Sequence, residues 1–246
     1  MKKFVLLLAL LPTLAVAQAP NPPVKPELTE LWTPVPRKVA PAASVGQPPS
    51  DAIILFNGRD LNNWEGVKGG KAAWVVGDGE FIVAPKSGSI QTREKFGDVQ
   101  LHVEWMIPVL PPARKAQDRG NSGIFLQGLY EVQVLDSLDN PTYVNGQAGS
   151  IYKQYAPLVN AQKPAPAWQS YDIIYTAPRF YGDGSLAEPA RMTIFLNGIL
   201  VQHSVPLLGP TEYRGIPVYK AHGDGVLMLQ AHNNEVHYRN FWLRKL

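Results

Sequence analysis

The stretch RGNSGIFLQGLYEVQVLD, residues 119–136, decides the fold that we expect for this chain of 246 residues. Apolar and polar residues alternate through its second half, which is typical of a β-strand rather than a helix. Two strand-like runs, Ile124–Leu126 and Tyr130–Leu135, flank Gly128–Leu129, which we predict to be a tight turn. The stretch therefore predicts a β-hairpin.

The two faces of this hairpin differ in chemistry. Because successive side chains point to opposite faces of a strand, Val132 and Val134 can join an apolar core. Glu131 and Gln133 then lie on the other face. Strict alternation places Asp136 on the core face, but a β-bulge just before it would turn it onto the polar face, and bulges are common beside active sites. The polar face is either an ordinary exposed surface or a binding surface.

Short runs rich in valine, isoleucine and aromatic residues continue the β pattern from residue 51 to residue 246. Glycine, proline, asparagine and aspartate separate the runs, and Asn197–Gly198 is a two-residue hairpin signal. No window has a long period of 3.6 residues, so we predict a single all-β domain, an antiparallel sandwich or barrel. Outside the hairpin, the predicted strands are Ile53–Phe56, Trp74–Val76, Phe81–Val83, Val99–Ile107, Tyr171–Thr176, Arg191–Leu196, Ile199–Val205, Val226–Ala231 and Val236–Leu243.

Six blocks of this sequence resemble, in the same order, those of the 3-keto-disaccharide hydrolase family. The resemblance implies a concanavalin A-like β-sandwich, a jelly roll, over residues 51–246. It also implies a protein that acts on sugars oxidised to a ketone at C3. The blocks are residues 55–61 with Trp64, residues 120–126 with 130–137, residues 149–152, Trp168, residues 196–198, and residues 229–232 with 238–240.

The first 17 residues have the layout of a cleaved signal peptide. Lys2 and Lys3 precede the apolar run Phe4–Leu11, and Ala15–Ala17 supplies small residues at the expected cleavage site. The apolar run is too short to span a bilayer as a stable helix. We therefore expect a secreted or periplasmic protein, and the lack of cysteine predicts that no lipid anchor follows the cut.

Residues 18–50 are predicted to be a linker or a strap along the domain surface. Nine prolines lie between residues 20 and 50, and proline favours extended conformations. Loss of Lys2 and Lys3 with the signal peptide lowers the formal charge from +3 to +1. Such a protein has no broad positive field for nucleic acid. The family resemblance implies a small carbohydrate as the partner.

Two long segments without a strand pattern, residues 108–118 and 137–169, flank the central hairpin. Loops of this length inside a compact domain are usually functional or disordered. The second contains aromatic rings on which the C–H faces of a sugar can stack, although such rings can equally fix the loop to the core. These residues, with one nearby cation, are Tyr143, Tyr152, Lys153 and Trp168.

Polar residues of two further predicted strands can join the face of Glu131. Glu104 alternates with the apolar residues of Val99–Ile107, and Gln230 and His232 share one face of the run that begins at Val226. We therefore predict one concave surface with a polar rim. Its members are Glu104, Glu131, Gln133, Asp136, Gln230 and His232, with Arg119, Asn121 and Lys153 at the rim.

The catalytic candidates are carboxylates and one histidine, because no phosphate loop, zinc-helix motif or dinucleotide fingerprint is present. Glu131, Asp136 and His232 are the three that we select. Carboxylates in an apolar hairpin need a partner, which is a cation of the chain or a divalent metal ion. Oxygen and imidazole groups do not distinguish Ca²⁺, Mg²⁺ and Zn²⁺ at the level of sequence.

The resemblance implies a reaction that begins at C2 of a 3-keto sugar. The ketone acidifies the hydrogen on C2, so a base can form an enediolate, the group on C1 can leave, and water can add afterwards. Glu131 or His232 is the predicted base. The other predicted groups are Lys153, Arg119 or a metal at the ketone oxygen, and Asp136 or Glu104 at the leaving oxygen.

Two other functions stay open. A conventional glucanase-type hydrolase would use Glu131, Gln133 and Asp136, but retaining chemistry needs two carboxyl groups about 5 Å apart, and the central residue is an amide. A non-catalytic carbohydrate-binding domain would need the rings and amides, without a carboxylate of altered pKa.

Overall fold

The computed structural model describes residues 25–246, which are β-strands and connecting loops with three short 3₁₀ turns and no α-helix. The turns are Pro26–Leu28, Ala116–Asp118 and Val144–Gly146. The strands are β1 (Ile53–Phe56), β2 (Trp64–Gly66), β3 (Val75–Gly77), β4 (Glu80–Ile82), β5 (Ile90–Phe96), β6 (Val99–Met106), β7 (Ser122–Leu126), β8 (Tyr130–Val134), β9 (Gln169–Thr176), β10 (Arg179–Phe180), β11 (Leu186–Glu188), β12 (Arg191–Leu196), β13 (Ile199–Pro206), β14 (Gly225–Leu229) and β15 (His237–Lys245).

Two antiparallel sheets face each other, which confirms the predicted all-β sandwich. The large sheet has the order β13-β12-β9-β6-β15-β4-β3, with β1 also paired to β15. The small sheet has the order β2-β5-β14-β7-β8, and β10 and β11 form a separate hairpin. Alternate residues of both sheets fill the space between them, as Leu101 and Val103 do from β6 and Ile124 does from β7.

Three buried tyrosines of the large sheet join it to the small sheet. The hydroxyl of Tyr171 donates to the backbone oxygen of Gln133, and that of Tyr238 donates to Oγ of Ser122, each at 2.7 Å. Tyr175 similarly donates to the side chain of Gln127 at 2.6 Å. A buried phenol needs such a partner, so these bonds fix the register in which the sheets pack.

The central hairpin is formed by β7 and β8, as predicted, but its turn lies one residue earlier. Gln127 and Gly128 occupy the turn with φ angles of 54° and 70°. Positive φ at both central residues is the requirement of a type I′ turn, and glycine meets it without strain. The register places Gly123 opposite Gln133 and Phe125 opposite Glu131.

The predicted strands are present to within two residues at each end, but β2, β5 and the β10–β11 hairpin were not predicted. In β5 the pairing with β14 shifts between Lys95 and Gln91, and Oγ1 of Thr92 donates to the backbone oxygen of Glu94. This bulge interrupts the alternation, and the charged run it exposes, Arg93–Lys95, conceals the strand in the sequence.

The described residues fall into two units, residues 25–38 and residues 39–246, the second of which contains both sheets. The predicted signal peptide, residues 1–17, lies outside the described residues. Within the second unit, the segment 39–51 lies on the outer face of the large sheet: the backbone oxygen of Gly46 accepts bonds from Asn240 and Trp242, and Asp51 pairs with Arg244. Among residues 25–246, no helix has the length and apolar character to cross a membrane.

Candidate functional site

A cavity of about 650 Å³ opens on the outer face of the small sheet, over β7 and β8. Its volume lies in the range of small-molecule binding sites. Two strands, three loops and the segment after β14 contribute to its wall. The lining residues are Gln117, Asp118, Asn121, Phe125, Glu131, Gln133, Tyr143, Tyr152, Lys153, Thr211, Tyr213, Gln230 and His232.

Glu131 is the buried acid of this cavity. Alternation along β8 points it away from the core. Gly123, diagonally across the hairpin on β7, makes room for it, because a Cβ there would lie 2.3 Å from Oε1 of Glu131. The residue is only 3% exposed, and its carboxyl group makes no hydrogen bond or ion pair with any part of the chain between residues 25 and 246. Burial alone raises the pKa of Glu131 to about 8.

A strand-like segment, residues 149–152, lies beside the free edge of β8. The backbone N–H of Gln133 donates to Ser150, that of Gly149 donates to Gln133, and that of Tyr152 donates to Glu131, at 3.0, 3.2 and 3.1 Å. These bonds extend the small sheet by one short strand. They place Tyr152 next to Glu131 although the two are 21 positions apart in sequence.

The side-chain amides of Gln117, Asn121 and Gln133 form the wall beside Glu131. Nε2 of Gln133 donates to Oδ1 of Asn121 at 3.2 Å, and Nδ2 of Asn121 donates to the backbone oxygen of Gln117 at 2.8 Å. Oε1 of Gln133 is buried and makes no hydrogen bond within the described residues. These two bonds orient the side chains of Gln133 and Asn121, because the NH₂ group of each has a defined acceptor.

An aromatic wall with one cation stands opposite the sheet. The hydroxyls of Tyr143 and Tyr152 are hydrogen-bonded at 2.6 Å. Nζ of Lys153 lies 4.4 Å from the ring centroid of Tyr143 and 5.4 Å from that of Tyr213. Tyrosine faces attract an ammonium group, so the rings hold this cation in the cavity, and Lys153 forms no ion pair with the described residues.

Loops that are remote in sequence complete the cavity. Oγ1 of Thr211 accepts the backbone N–H of Glu131 at 2.9 Å, and the N–H of Thr211 donates to Leu129. On the other side, the N–H of Gln230 donates to Gly123 at 2.9 Å, and His232 follows with an exposed side chain. Both sides are thus fixed to the central hairpin through backbone bonds.

The structure brings together seven of the eleven predicted site residues. The four others do not reach the cavity: the predicted common surface is wrong for three of them, and Trp168, which was predicted as a loop ring for a sugar, lies elsewhere. The seven are Asn121, Glu131, Gln133, Tyr152, Lys153, Gln230 and His232, and the four are Glu104, Arg119, Asp136 and Trp168.

Asp136 is buried outside the cavity, where it pairs with the partly exposed Arg119. Strand β8 ends at Val134, so neither alternation nor a bulge in that strand determines where Asp136 points. Instead its N–H donates to the backbone oxygen of Arg119, and its Oδ2 accepts from Nε of Arg119 at 2.7 Å. Oδ1 of Asp136 is buried without a hydrogen bond in the described chain.

Glu104 and Trp168 contact Arg239 in the large sheet. Glu104 lies on β6, on the outer face that the segment 39–51 partly covers, and its Oε2 accepts from Nε of Arg239 at 2.7 Å. The nearby imidazole of His102, together with hydrogen bonds from Asn240 and Arg239, lowers the pKa of Glu104 to about 2. The guanidinium carbon of Arg239 lies 4.0 Å from the ring centroid of Trp168. Both predicted residues therefore belong to the opposite side of the sandwich.

Five cavity residues were not predicted: Gln117, Asp118, Phe125, Thr211 and Tyr213. Phe125 is one that alternation could have found, because it lies directly opposite Glu131 in the hairpin. The sequence around Thr211 and Tyr213 has no pattern that points to the cavity, since these residues reach it only through the loop between β13 and β14.

No set of three or more His, Asp or Glu side chains in residues 25–246 is arranged to hold a metal ion. Asp118, Glu131 and His232 are the residues of these types that line the cavity. Asp118 is already paired with Arg114 at 2.6 Å. The wall therefore offers hydrogen-bonding groups, rings, one ammonium and one buried acid.

The model of the 3-keto-alpha-glucoside-1,2-lyase-like domain matches residues 51–244. The chain belongs to this family. The match includes both sheets and every residue of the cavity wall. The protein is therefore a carbohydrate-active protein of lyase-like or hydrolase-like type, as the sequence resemblance predicted.

Solved structures agree with the family. A candidate glycosyl hydrolase of Parabacteroides distasonis, solved at 2.13 Å, is 50% identical to this chain, with a TM-score of 0.86 over 91% of this chain and 97% of its own. Two further candidate glycosyl hydrolases of that organism share 21% and 18% identity, with TM-scores of 0.59 and 0.52. They cover 80% and 79% of this chain, and 94% and 99% of their own lengths. These two show likeness of fold alone. Comparison with curated proteins gave no match.

Proposed function

We propose that this protein cleaves 3-keto glycosides by removing the proton on C2, expelling the group on C1 and adding water. The observation that carries the proposal is Glu131, an acid buried in a sugar-sized cavity with a pKa of about 8 and no partner in the described chain. A general base is most effective when its pKa lies near the working pH.

The proposed reaction has three steps, namely proton removal, elimination and hydration. The carboxylate of Glu131 takes the hydrogen on C2 as a proton, and the C–H electron pair enters an enediolate whose charge lies on the C3 oxygen. That pair then forms the C1–C2 double bond, and the C1–O bond breaks with its electrons on the leaving oxygen. Water finally adds at C1 of the enone, and a proton returns to C2.

Lys153 supports this chemistry as the group at the C3 oxygen. It is a cation without an ion-pair partner in the described residues, held between the rings of Tyr143 and Tyr213. Negative charge that develops on the ketone oxygen is stabilised best by a donor that is already in position. Asn121 and Gln133 supply amides for the sugar hydroxyls.

The arrangement favours this reaction over the conventional glucanase mechanism. That mechanism would need Asp136 on the same face as Glu131, whereas Asp136 forms its ion pair with Arg119 outside the cavity. A carbohydrate-binding domain without catalysis would have no use for a buried acid of raised pKa, because burial of that acid destabilises the fold.

We also infer that the protein is exported, because residues 1–17 have the layout of a signal peptide. Mass spectrometry of the exported protein should find an N-terminus near Gln18. An exported protein that still begins at Met1 would contradict this inference.

The test of function compares Glu131→Gln with the wild type on a 3-keto glucoside and on its unoxidised parent. We expect the wild type to cleave only the ketone, and the variant to lose about 10²–10⁴ in turnover and its exchange of the C2 hydrogen with deuterated solvent. Glu94→Gln, on an exposed side chain paired with Lys245, is the matched control and should retain full activity. Equal cleavage of both substrates by the wild type would refute the ketone-dependent mechanism.

A further inference from the structure

The proposed reaction needs an acid at the leaving oxygen, and the residues predicted for that role, Glu104 and Asp136, lie outside the cavity. Of the acids that line it, Glu131 is assigned as the base and Asp118 is paired with Arg114. His232 lies at the exposed end of the wall. The linked hydroxyls of Tyr143 and Tyr152 are the proton-bearing groups next to Glu131.

A hydrogen bond between two hydroxyls uses only one of their two protons. At 2.6 Å one phenol of this pair donates and the other accepts, so the acceptor keeps its own proton for a third group. Tyr143 is the more exposed of the two, and Tyr152 is tied to Glu131 through the backbone bond to its oxygen. Either hydroxyl can be the donor of this bond; when Tyr143 donates, the proton of Tyr152 is left for a ligand in the cavity.

The surroundings fix the ring of Tyr143 and keep Tyr152 protonated until a substrate binds. Tyr143 packs so closely on Gly146 that a Cβ there would lie 2.0 Å from its ring. The ammonium of Lys153 lies 4.4 Å from the ring centroid of Tyr143, and a nearby positive charge stabilises a phenolate that forms transiently. Burial raises the pKa of Tyr152 above its ordinary value, so the phenol carries its proton when the substrate binds.

We propose that Tyr152 is the general acid that protonates the leaving oxygen, and that Tyr143 returns a proton to it from solvent. The inference rests on the proposed function. As the C1–O bond breaks, the electron pair on the leaving oxygen takes the proton of Tyr152. The resulting phenolate takes a proton from Tyr143, which takes one from water, and Glu131 releases the C2 proton to solvent.

The experiment uses two 3-keto glucosides that differ only in the leaving group, 4-nitrophenol and methanol. Nitrophenolate leaves without a proton, whereas methoxide does not. Tyr152→Phe should therefore lose about 10²–10⁴ in turnover of the methyl glucoside and less than about tenfold in that of the nitrophenyl glucoside. In deuterated solvent, the variant should still exchange the C2 hydrogen of the methyl glucoside that is recovered, because the base is intact.

Matched variants keep the proposal falsifiable. Tyr181→Phe removes an exposed phenol that lies outside the cavity and should leave the turnover of both glucosides unchanged. Tyr143→Phe should give a partial loss confined to the methyl glucoside. Three results for folded Tyr152→Phe would overturn the proposal. These are an equal loss of turnover on both glucosides, a loss of C2 exchange, and turnover of the methyl glucoside as fast as that of the wild type. A wild type that neither exchanges the C2 hydrogen nor cleaves the nitrophenyl glucoside would instead overturn the proposed function.

Discussion

Replacement of Glu131 by glutamine should make the folded protein more stable at neutral and alkaline pH while it abolishes turnover. The carboxyl group has a pKa of about 8 in the folded protein, against a reference value of 4.5. A raised folded-state pKa means that the contribution of Glu131 to stability is fully present below pH 4.5 and is lost as the pH rises toward 8. The loss is about 1.4 kcal/mol for each pH unit within that window.

The magnitude follows from the same two pKa values. At pH 7 the ionisable carboxyl group destabilises the fold by roughly 3 kcal/mol relative to a group that stays neutral. For a domain of this size, that corresponds to about 6–12 °C in the melting temperature. The amide of glutamine has its own cost of burial, about 1–3 kcal/mol if it finds no partner, but that cost does not change with pH.

The assay therefore compares the difference in unfolding free energy between variant and wild type at two pH values. Urea unfolding of wild type and Glu131→Gln at pH 5 and pH 8 should show the variant gaining about 3–4 kcal/mol relative to the wild type between the two values. All other titrating groups are common to both proteins and cancel. A stability difference that stays constant from pH 5 to pH 8 would refute the reasoning, since Glu131 would then have an ordinary pKa or a charged partner.

Three further predictions concern the base, its position and the ion pair of Asp136. The kcat/KM of the wild type should rise about tenfold per pH unit below pH 8 and level off above it, because the base must be ionised; a rate that falls over this range would assign Glu131 as an acid. Gly123→Ala should fold but lose at least about 10² in turnover, since the added methyl displaces the carboxyl group of Glu131; a crystal structure with that group unmoved would contradict this account. Arg119→Ala should cost about 3–5 kcal/mol in urea unfolding because it strands the buried Asp136, whereas Lys245→Ala, which breaks an exposed pair, should cost at most about 1 kcal/mol. If the remaining folded Arg119→Ala loses activity, the separation of this pair from the cavity is wrong.

The sequence was sufficient for most of the strands, because their pattern is local, but not for β2, β5 and the β10–β11 hairpin. Alternation in β12 and β13, with Asn197–Gly198 between them, predicted that hairpin, and alternation in β8 placed Glu131 and Gln133 on one face. The same rule misled at Asp136, because the strand ends two residues earlier and an ion pair then determines the side chain's direction.

The composition of the site needed the three-dimensional structure. Glu104 has the same alternation as Glu131, but the pattern does not say which sheet a strand joins, and β6 belongs to the large sheet. Thr211 and Tyr213 reach the cavity through a loop that has no periodic signal. The absence of a partner for Glu131 within the described chain, which gives its carboxyl group the raised pKa, depends on all of these neighbours together.

The contacts of Gly46 and Asp51 with β15 have a consequence for attaching the protein to a surface. Residues 39–51 and the end of β15 lie together on the outer face of the large sheet, while the cavity opens on the outer face of the small sheet. A linker placed after Leu246 therefore continues from a strand of the large sheet, and no residue of that sheet lines the cavity. A protein immobilised on beads through that end would present its cavity to the solution, so dissolved glycosides should reach it without hindrance from the support.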